Sequence, residues 1–250
     1  MSTAPRLTFT EMSGNAKLKK YKNGRVFSLP AGHACPAAEK CRASCDRLTG
    51  KLTDGPRAEW RCFSASVEAY SKPLRECVWR NLEAVKSLQA SAKRLADALD
   101  DALPATTEIV RMHGTGGDFL NKTYLQAWLV LARRRPGCIF YGYTKRADLL
   151  TNIKRSELPR NFRLSVSYGG KYDDLLPKLR QRRYATVSVV FTEEEAAARG
   201  LPLDHDDALA IAATRSFALL IHGTQRKNSP AAAALKALRD AGVKTGYSHD

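Results

Sequence analysis

The sequence predicts an α/β protein built on a mostly parallel sheet, and three observations support this prediction. Short β-rich runs alternate with helical patterns along most of the 250 residues, as in successive β-α units. The length allows one large domain with a sizeable core, and the apolar fraction of 44% is that of a folded globular protein. A run of about eighteen apolar residues, which a membrane helix needs, is missing from the sequence.

The predicted elements follow in order along the chain. Residues 1–24 are polar and basic, so we predict an N-terminal arm there and a single α/β domain over 25–250. Runs rich in β-branched and aromatic residues predict six strands, at 25–30, 107–114, 138–144, 162–167, 186–191 and 217–223. Periodic apolar residues predict helices, of which the clearest are 83–103, 121–135 and 229–242. Asn121 is suited to cap the second helix, Ser229 opens the third, and Pro104 ends the first.

Six β-α units are too few for a complete eight-fold barrel, so they favour an open, partial barrel or a doubly wound sheet. In both architectures the ligand site lies at the C-terminal ends of the strands, where loops and helix N-termini converge. Polar, glycine-rich residues follow nearly every predicted strand, and this pattern favours a ligand or catalytic site over a purely structural sheet. The segments are the cysteine-rich loop after the first strand, HGTGGDF at 113–119, TKR at 144–146, SYGGKYDD at 167–174 and HGTQRKN at 222–228.

Four of the six cysteines are candidate metal ligands: Cys35, Cys41, Cys45 and Cys62, spaced C-x5-C-x3-C-x16-C. In a cytoplasmic chain such a cluster indicates metal binding or chemistry rather than disulfides. Zinc ribbons favour pairs of C-x2-C knuckles, which this spacing lacks, whereas an iron–sulfur cluster is larger and accepts varied spacing. We therefore expect a [4Fe–4S] cluster, with structural zinc and free buried thiols as the alternatives.

The glycine-rich segment after the second strand supplies further candidates. Gly116 and Gly117 allow close backbone approach, and their amides can bind a carboxylate or phosphate. Asp118 could bind a ligand ammonium or hydroxyl group or act as a base; alternatively, it caps the helix that follows a glycine-rich turn. Lys145 and Arg146, after the third strand, could hold a phosphate or carboxylate, or form a solvated turn.

Two histidines are candidates for proton transfer. His222 follows a run of apolar residues, so we expect it at the exit of the last strand, with Gln225 in the loop beyond as a cofactor-binding residue. His205 lies in DHDD at 204–207, where acidic residues before a helix complement its dipole; a second metal site or a general-base role is the alternative. We rank His222 above His205 and predict Asp118 and His222 as the catalytic pair.

Charge and the N-terminus suggest where the protein acts and on what. Forty-one Lys and Arg against 25 Asp and Glu give a net charge of +16, which attracts polyanions such as nucleic acids and nucleotides. The basic residues are spread along the chain, and solubility is the alternative explanation. The N-terminus has no apolar signal-peptide core, so we expect the cytoplasm of the host cell.

Several motifs together resemble the gene product 88 family of bacteriophage and prophage proteins. They include FSLPAGHACPAAEKC at 27–41, FYGYTK at 140–145, NFRLSVSYGG at 161–170 and FALLIHGTQ at 217–225, and the resemblance runs from Phe27 to Leu238. It implies a phage origin rather than a particular activity. It also implies that Cys35, Cys41 and Cys62 are the common thiols, with Cys45 an addition in this chain.

A second resemblance is to the radical S-adenosylmethionine enzymes, which place three cysteines after the first strand and a Gly-Gly-acid element after the second. It implies a partial (β/α)6 barrel with a [4Fe–4S] cluster on Cys35, Cys41 and Cys62. It also implies that Gly116, Gly117 and Asp118 meet the methionine ammonium of the cofactor. The spacing C-x5-C-x3-C departs from the C-x3-C-x2-C typical of that superfamily.

These observations define three hypotheses. The first is a phage-encoded iron–sulfur protein that is radical S-adenosylmethionine-like and acts on a nucleotide or nucleic acid. The second is a nucleic-acid-binding protein without redox chemistry, in which zinc or a fully ligated cluster only staples the loop. The third is a base-exchange or hydrolytic enzyme on nucleic acid, with Asp118 as nucleophile or base.

Overall fold

A seven-stranded sheet forms the centre of the protein, in a computed structural model that describes residues 6–12, 21 and 23–243. The strand order is β1-β2-β5-β6-β7-β8-β9, and β3 and β4 form a separate hairpin. Only β1 is antiparallel to its neighbour in the large sheet. The strands are β1 (Thr10–Glu11), β2 (Gly24–Phe27), β3 (Ala43–Cys45), β4 (Leu52–Asp54), β5 (Ile109–Met112), β6 (Ile139–Thr144), β7 (Phe162–Ser167), β8 (Ala185–Val190) and β9 (Phe217–Leu220).

All six predicted strands are present, and the predicted parallel α/β sheet is confirmed. Each parallel strand of the large sheet neighbours the next parallel strand along the chain, so the carboxyl ends of these strands share one edge. Among the described residues the outer strands β1 and β9 do not pair with each other, so the sheet is open. The sequence did not predict β1 or the β3–β4 hairpin, which folds within the cysteine-rich segment.

Helices surround this sheet, and one predicted helix is wrong. The structure has α1 (Phe63–Tyr70), α2 (Lys72–Leu88), α3 (Ala92–Ala102), α4 (Lys122–Arg134), α5 (Ala147–Leu150), α6 (Leu176–Gln181), α7 (Glu193–Ala198), α8 (Ala208–Ala212) and α9 (Pro230–Asp240). The predicted helix 83–103 is the end of α2 followed by α3. The chain breaks there because Ser91 starts a new helix, its hydroxyl accepting a hydrogen bond from Arg94 N.

The other two predicted helices are confirmed, with the predicted caps. The Asn121 side chain accepts a hydrogen bond from Tyr124 N at 2.9 Å at the start of α4. Ser229 does the same for Ala232 N at 3.1 Å at the start of α9. Beyond the end of α9, Gly242 has φ of +72°, the left-handed conformation that glycine adopts at least cost.

The two faces of the sheet have different partners. On one face, alternate strand residues such as Val110, Phe140 and Phe162 pack with Trp128 of α4 in the largest buried cluster. On the other face, a smaller cluster around Tyr141 packs against the short helix α8, and its buried members include Ile109, Val187, Ala210 and Phe217. No helix in the described part of the chain is long and apolar enough to cross a membrane.

The described part of the predicted N-terminal arm packs onto the domain. Leu7 and Met12 are buried, and Asn81 of α2 bonds both backbone polar groups of Thr8. Residues 1–5, 13–20 and 22 of that arm lie outside the described residues. At the opposite edge of the sheet, Ala218 of β9 donates its N–H to Pro202 O and accepts from Asp204 N.

Candidate functional site

A cavity of about 230 Å³ lies at the carboxyl edge of the sheet, and three cysteines form part of its wall. Cys35 and Cys41 come from the loop after β2, and Cys62 comes from the residue that precedes α1. The residues that follow β5, β6 and β9 form much of the rest of the wall. The predicted site residues that line it are Cys35, Cys41, Cys62, Gly116, Gly117, Asp118, Lys145 and His222.

Two of the three thiols, Cys35 and Cys62, lie in a desolvated environment. Burial raises the pKa of Cys35, and the charges of Cys62, Asp118 and Cys41 raise it further. The pKa of Cys62 is raised to about 11, mainly by burial and secondly by the charge of Cys41. The first N–H groups of α1 offset part of this rise. Cys35 and Cys62 are therefore neutral at pH 7, and a charge on Cys41 would disfavour the ionisation of both.

This donor set fits a cationic metal group. A metal ion or cluster would offset the repulsion between thiolates, and the N–H of Gly32 already donates to Cys35 Sγ at 3.4 Å. Among the described residues, no three Cys, His, Asp or Glu side chains converge as ligands around one metal ion. In a [4Fe–4S] cluster, by contrast, each cysteine binds a separate iron, so the thiols need not surround one ion.

Cys45 is placed apart from the other three thiols. It lies in β3, is fully buried, and is not one of the residues that line the cavity. Its Sγ donates to Asp46 O at 3.6 Å, and the charges that act on the thiol are those of Arg75 and Glu68. The structure therefore brings together three of the four predicted ligands.

Cys62 is held in place through its neighbour Arg61. The Arg61 guanidinium forms two hydrogen bonds to Asp54 of β4, at 2.8 and 2.7 Å. Gln225, predicted to bind a cofactor, lies outside the cavity and bonds the Arg61 backbone and the carbonyl of His222. Its amide therefore positions the segment that carries Cys62.

Asp118 ties the cysteine loop to the end of β6. Its Oδ1 accepts hydrogen bonds from Thr144 Oγ1 at 2.6 Å and Phe119 N at 2.7 Å, and its Oδ2 accepts one from Lys145 N at 2.8 Å. Its own N–H donates to Ala34 O, next to Cys35. Burial raises the pKa of this carboxyl group, while these hydrogen bonds oppose the rise. Both carboxylate oxygens are thus already used in positioning.

The two predicted glycines are required by the backbone. Gly116 has φ of +118° and Gly117 has φ of +90°, both in the region that favours glycine. A Cβ at Gly116 would lie 2.7 Å from Leu29 O, and one at Gly117 would lie 2.5 Å from Leu29 Cβ. The glycines allow this turn to pack against the segment that leads into the cysteine loop.

The basic pair after β6 is engaged within the protein. Lys145 Nζ donates to Ser167 Oγ at 2.7 Å and to the carbonyl of Tyr168. Arg146 forms two hydrogen bonds to Asp148 and donates to the carbonyls of Phe119 and Leu120. Lys145 contributes a cation to the cavity wall, whereas Arg146 joins the turn after β5 to α5.

The histidines lie on the cavity wall as well. His222 Nδ1 donates to Leu220 O at 2.9 Å, which leaves the lone pair of the neutral ring on Nε2. Its ring packs at 5.0 Å from that of Phe63. His205 is exposed at the rim of the cavity. His222 thus lies at the exit of the last strand, as predicted.

Sequence reasoning missed three polar features of this region. His113 has φ of +55° and its buried Nδ1 has no partner; burial lowers its pKa to about 3. Asp204 lines the cavity, and its buried Oδ1 also has no hydrogen-bond partner. On the same wall, Arg111 Nε lies 3.3 Å from Asp207 Oδ2. The segments that contain His113, Asp204 and Asp207 stood out in the sequence, but only the fold shows that these residues line one cavity.

The fold and the site define an α/β protein with a thiol-lined cavity at the carboxyl edge of a mostly parallel sheet. The chain belongs to the gene product 88 family, whose model matches residues 7–241, so the predicted membership is confirmed. No curated protein and no solved structure was found to match the chain. The resemblance to radical S-adenosylmethionine enzymes gains no support from these comparisons.

Proposed function

We propose that this chain is a phage-encoded iron–sulfur protein that holds a [4Fe–4S] cluster on Cys35, Cys41 and Cys62. The observation that carries the proposal is that these thiols, from two separate segments, line one cavity at the carboxyl edge of the sheet. The proposal includes the partial (β/α)6 barrel, because the six parallel strands follow one another in chain order. It extends to a radical S-adenosylmethionine-like enzyme acting on a nucleotide or nucleic acid.

The chain's own residues would prepare and orient the site. Each thiol must lose its proton when metal binds, so the raised thiol pKa values make loading depend on pH. A cluster with three protein ligands supplies one-electron chemistry and leaves one iron for a small ligand, such as S-adenosylmethionine. Asp204, with its unpaired Oδ1, offers a buried acceptor to a cationic group of that ligand. His222 contributes an imidazole ring to the same cavity wall.

The hydrolytic alternative has less support. A nucleophile or base needs an oxygen that can reach substrate, and both oxygens of Asp118 already accept hydrogen bonds from the protein. Asp118 acts in our proposal as a positioning residue for the cysteine loop. The zinc-stapled alternative differs from the proposal in the metal that it predicts, so metal analysis separates the two.

The test is anaerobic purification followed by measurement of iron, sulfide, zinc and visible absorption. We expect about four irons and four sulfides per chain and a brown band that bleaches on reduction. Cys35→Ser, Cys41→Ser and Cys62→Ser should each lose the cluster, whereas the matched control Cys45→Ser should keep it. One zinc per chain without colour would overturn the proposal, and cluster loss in Cys45→Ser alone would overturn the ligand set.

The enzymatic extension needs a second measurement on the loaded protein. Reductive cleavage of S-adenosylmethionine should occur in the wild type and fall at least tenfold in Asp204→Asn, which removes the buried charge. Cluster content in the variant is the control, because it must stay at the wild-type level. A loaded wild-type protein that neither binds nor cleaves S-adenosylmethionine would limit the proposal to the cluster alone.

A further inference from the structure

A second cavity, of about 790 Å³, lies at the opposite edge of the sheet and has a strongly basic wall. It forms where the chain enters β7 and β8, the amino ends of these strands. Two segments build it, 154–163 and 181–183. Six of its lining residues are cationic and none is acidic: Lys154, Arg155, Arg160, Arg163, Arg182 and Arg183. We call this cavity the basic pocket.

The cations of the basic pocket lack internal counter-charges. Among the described residues, none of these six side chains forms an ion pair with a carboxylate. The nearby Glu157 uses its carboxylate on the backbone N–H of Lys154, at 3.3 Å. Arg163 has a buried Nε without a hydrogen-bond partner. Elsewhere on the surface, by contrast, arginines such as Arg134 and Arg135 pair with aspartates.

The pocket is built by ordered structure rather than by loose loops. Tyr184 is buried, and its hydroxyl donates a hydrogen bond to Ile153 O at 3.0 Å. This bond connects the two segments that build the pocket. Arg182 donates to the carbonyl of Thr151. Arg183 adopts a left-handed φ of +66° at the turn after α6, which places it beside Arg182. Burial and the charge of Arg163 lower the pKa of Arg155, which reflects the repulsion held within this wall.

We propose that the basic pocket binds the phosphodiester backbone of a nucleic acid. Clustered arginines hold phosphate through charge-assisted, often bidentate hydrogen bonds, and an anion would relieve their mutual repulsion. The wall carries no exposed aromatic ring on which a base could stack, so we expect binding without sequence preference. The net charge of +16 would steer a polyanion toward the protein.

This site is separate from the thiol cavity. Arg163 and Ser167 lie on the same face of β7 but four residues apart, which is roughly 13 Å along a strand. The buried cluster around Tyr141, Val187 and Phe217 packs on this face of the sheet. Nucleic-acid binding therefore stands apart from the proposed cluster and can be tested on protein that contains no metal.

The experiment is fluorescence anisotropy of a labelled oligodeoxythymidylate strand and of a labelled duplex, titrated with protein over a series of salt concentrations. The variant Lys154→Gln/Arg160→Gln removes two exposed cations from the rim of the pocket. We expect weaker binding and a log–log salt slope that is shallower by about 1.4 for the single strand. The matched control, Arg94→Gln/Arg133→Gln, removes two exposed charges on α3 and α4 and should bind like the wild type.

Arg163→Gln provides a second variant in the wall of the pocket. Circular dichroism is used to check that this variant is folded. It should weaken binding in the same way. Equal loss of affinity in the control pair would overturn the proposal, because binding would then follow net charge alone. Displacement of the oligonucleotide by low concentrations of inorganic phosphate would also overturn it, since the pocket would then be a site for a small anion.

Discussion

Gln225 and Arg61 are joined by two hydrogen bonds although they lie 164 residues apart in the chain. Arg61 N donates to Gln225 Oε1 at 2.7 Å, and Gln225 Nε2 donates to Arg61 O at 3.3 Å. Because Arg61 directly precedes Cys62, one amide in the loop after β9 sets the backbone position next to a thiol of the cavity wall. The last strand of the sheet therefore helps to build the cysteine site.

Replacing Gln225 should destabilise the segment that carries Cys62. Gln225→Leu leaves the buried N–H and C=O of Arg61 without partners, so we expect a loss of about 1–3 kcal/mol in the free energy of unfolding. Urea denaturation measures this loss, and the metal content should fall with it. Gln126→Leu, on an exposed position of α4, is the control and should change neither quantity. Unchanged stability in Gln225→Leu would show that its two hydrogen bonds to Arg61 do not hold this segment in place.

Glu68 should make stability depend on pH. It is fully buried, its Oε2 has no partner, and burial raises its pKa to about 8 despite the N–H of Ala31 and the charge of Arg75. The folded state thus binds this proton more tightly than the unfolded state, for which 4.5 is the ordinary value. The stabilisation is complete below pH 4.5 and is lost as the pH rises through 8.

The variant Glu68→Gln isolates this effect. Its amide keeps an acceptor for Ala31 N and carries no ionisable proton, so stability should lose the downward slope between pH 4.5 and 8. The slope for one proton is at most about 1.4 kcal/mol per pH unit. Urea denaturation at a series of pH values, with Glu76→Gln on exposed α2 surface as control, checks it. Parallel curves for the wild type and Glu68→Gln would show that Glu68 ionises normally.

Gly117 should not tolerate a side chain. Gly117→Ala would add a Cβ 2.5 Å from Leu29 Cβ at φ of +90°, so we expect a loss of about 1–3 kcal/mol from strain and overlap. Gly137 is the matched control, because a Cβ there meets nothing within 4 Å. Thermal denaturation should separate the two alanine variants clearly. If both alanines behave alike, the turn is not as tight as the structure has it.

His113 should stay neutral over the physiological range. Burial lowers its pKa to about 3, so its imidazole signals should not move between pH 5 and 8 in long-range ¹H–¹⁵N spectra. His113→Asn identifies the signals, since asparagine tolerates the left-handed φ of +55°. Because the folded pKa lies below the unfolded value of 6.5, this histidine lowers stability as the pH falls from 6.5 toward 3. A signal that titrates near 6.5 would contradict its burial.

The parts of the fold that local sequence determines were predictable. Apolar runs bounded by turn residues located all six parallel strands, and the caps at Asn121 and Ser229 located two helices. The apolar residues of 83–103 suggested one helix because their spacing stays in phase across the break between α2 and α3. Local periodicity cannot distinguish one helix from two that pack against the same core.

The site was predictable in its location and less so in its roles. The polar residues that follow the predicted strands indicated where the cavity lies, and Cys35, Cys41 and Cys62 line it. The roles of Gln225 and Cys45 depend on contacts between segments far apart in the chain, which a single sequence does not reveal. The same holds for Glu68, which reads as an ordinary helical glutamate and becomes unusual only because α1 is buried beneath the cysteine loop.

The short outer strands of the sheet have a consequence for self-association. The two-residue strand β1 occupies one edge, and Pro202–Asp204 bonds the outer side of Ala218 at the other. Within the described residues, each edge therefore offers a newly arriving chain few unpaired backbone groups. Aggregation by strand addition at these two edges is thereby disfavoured.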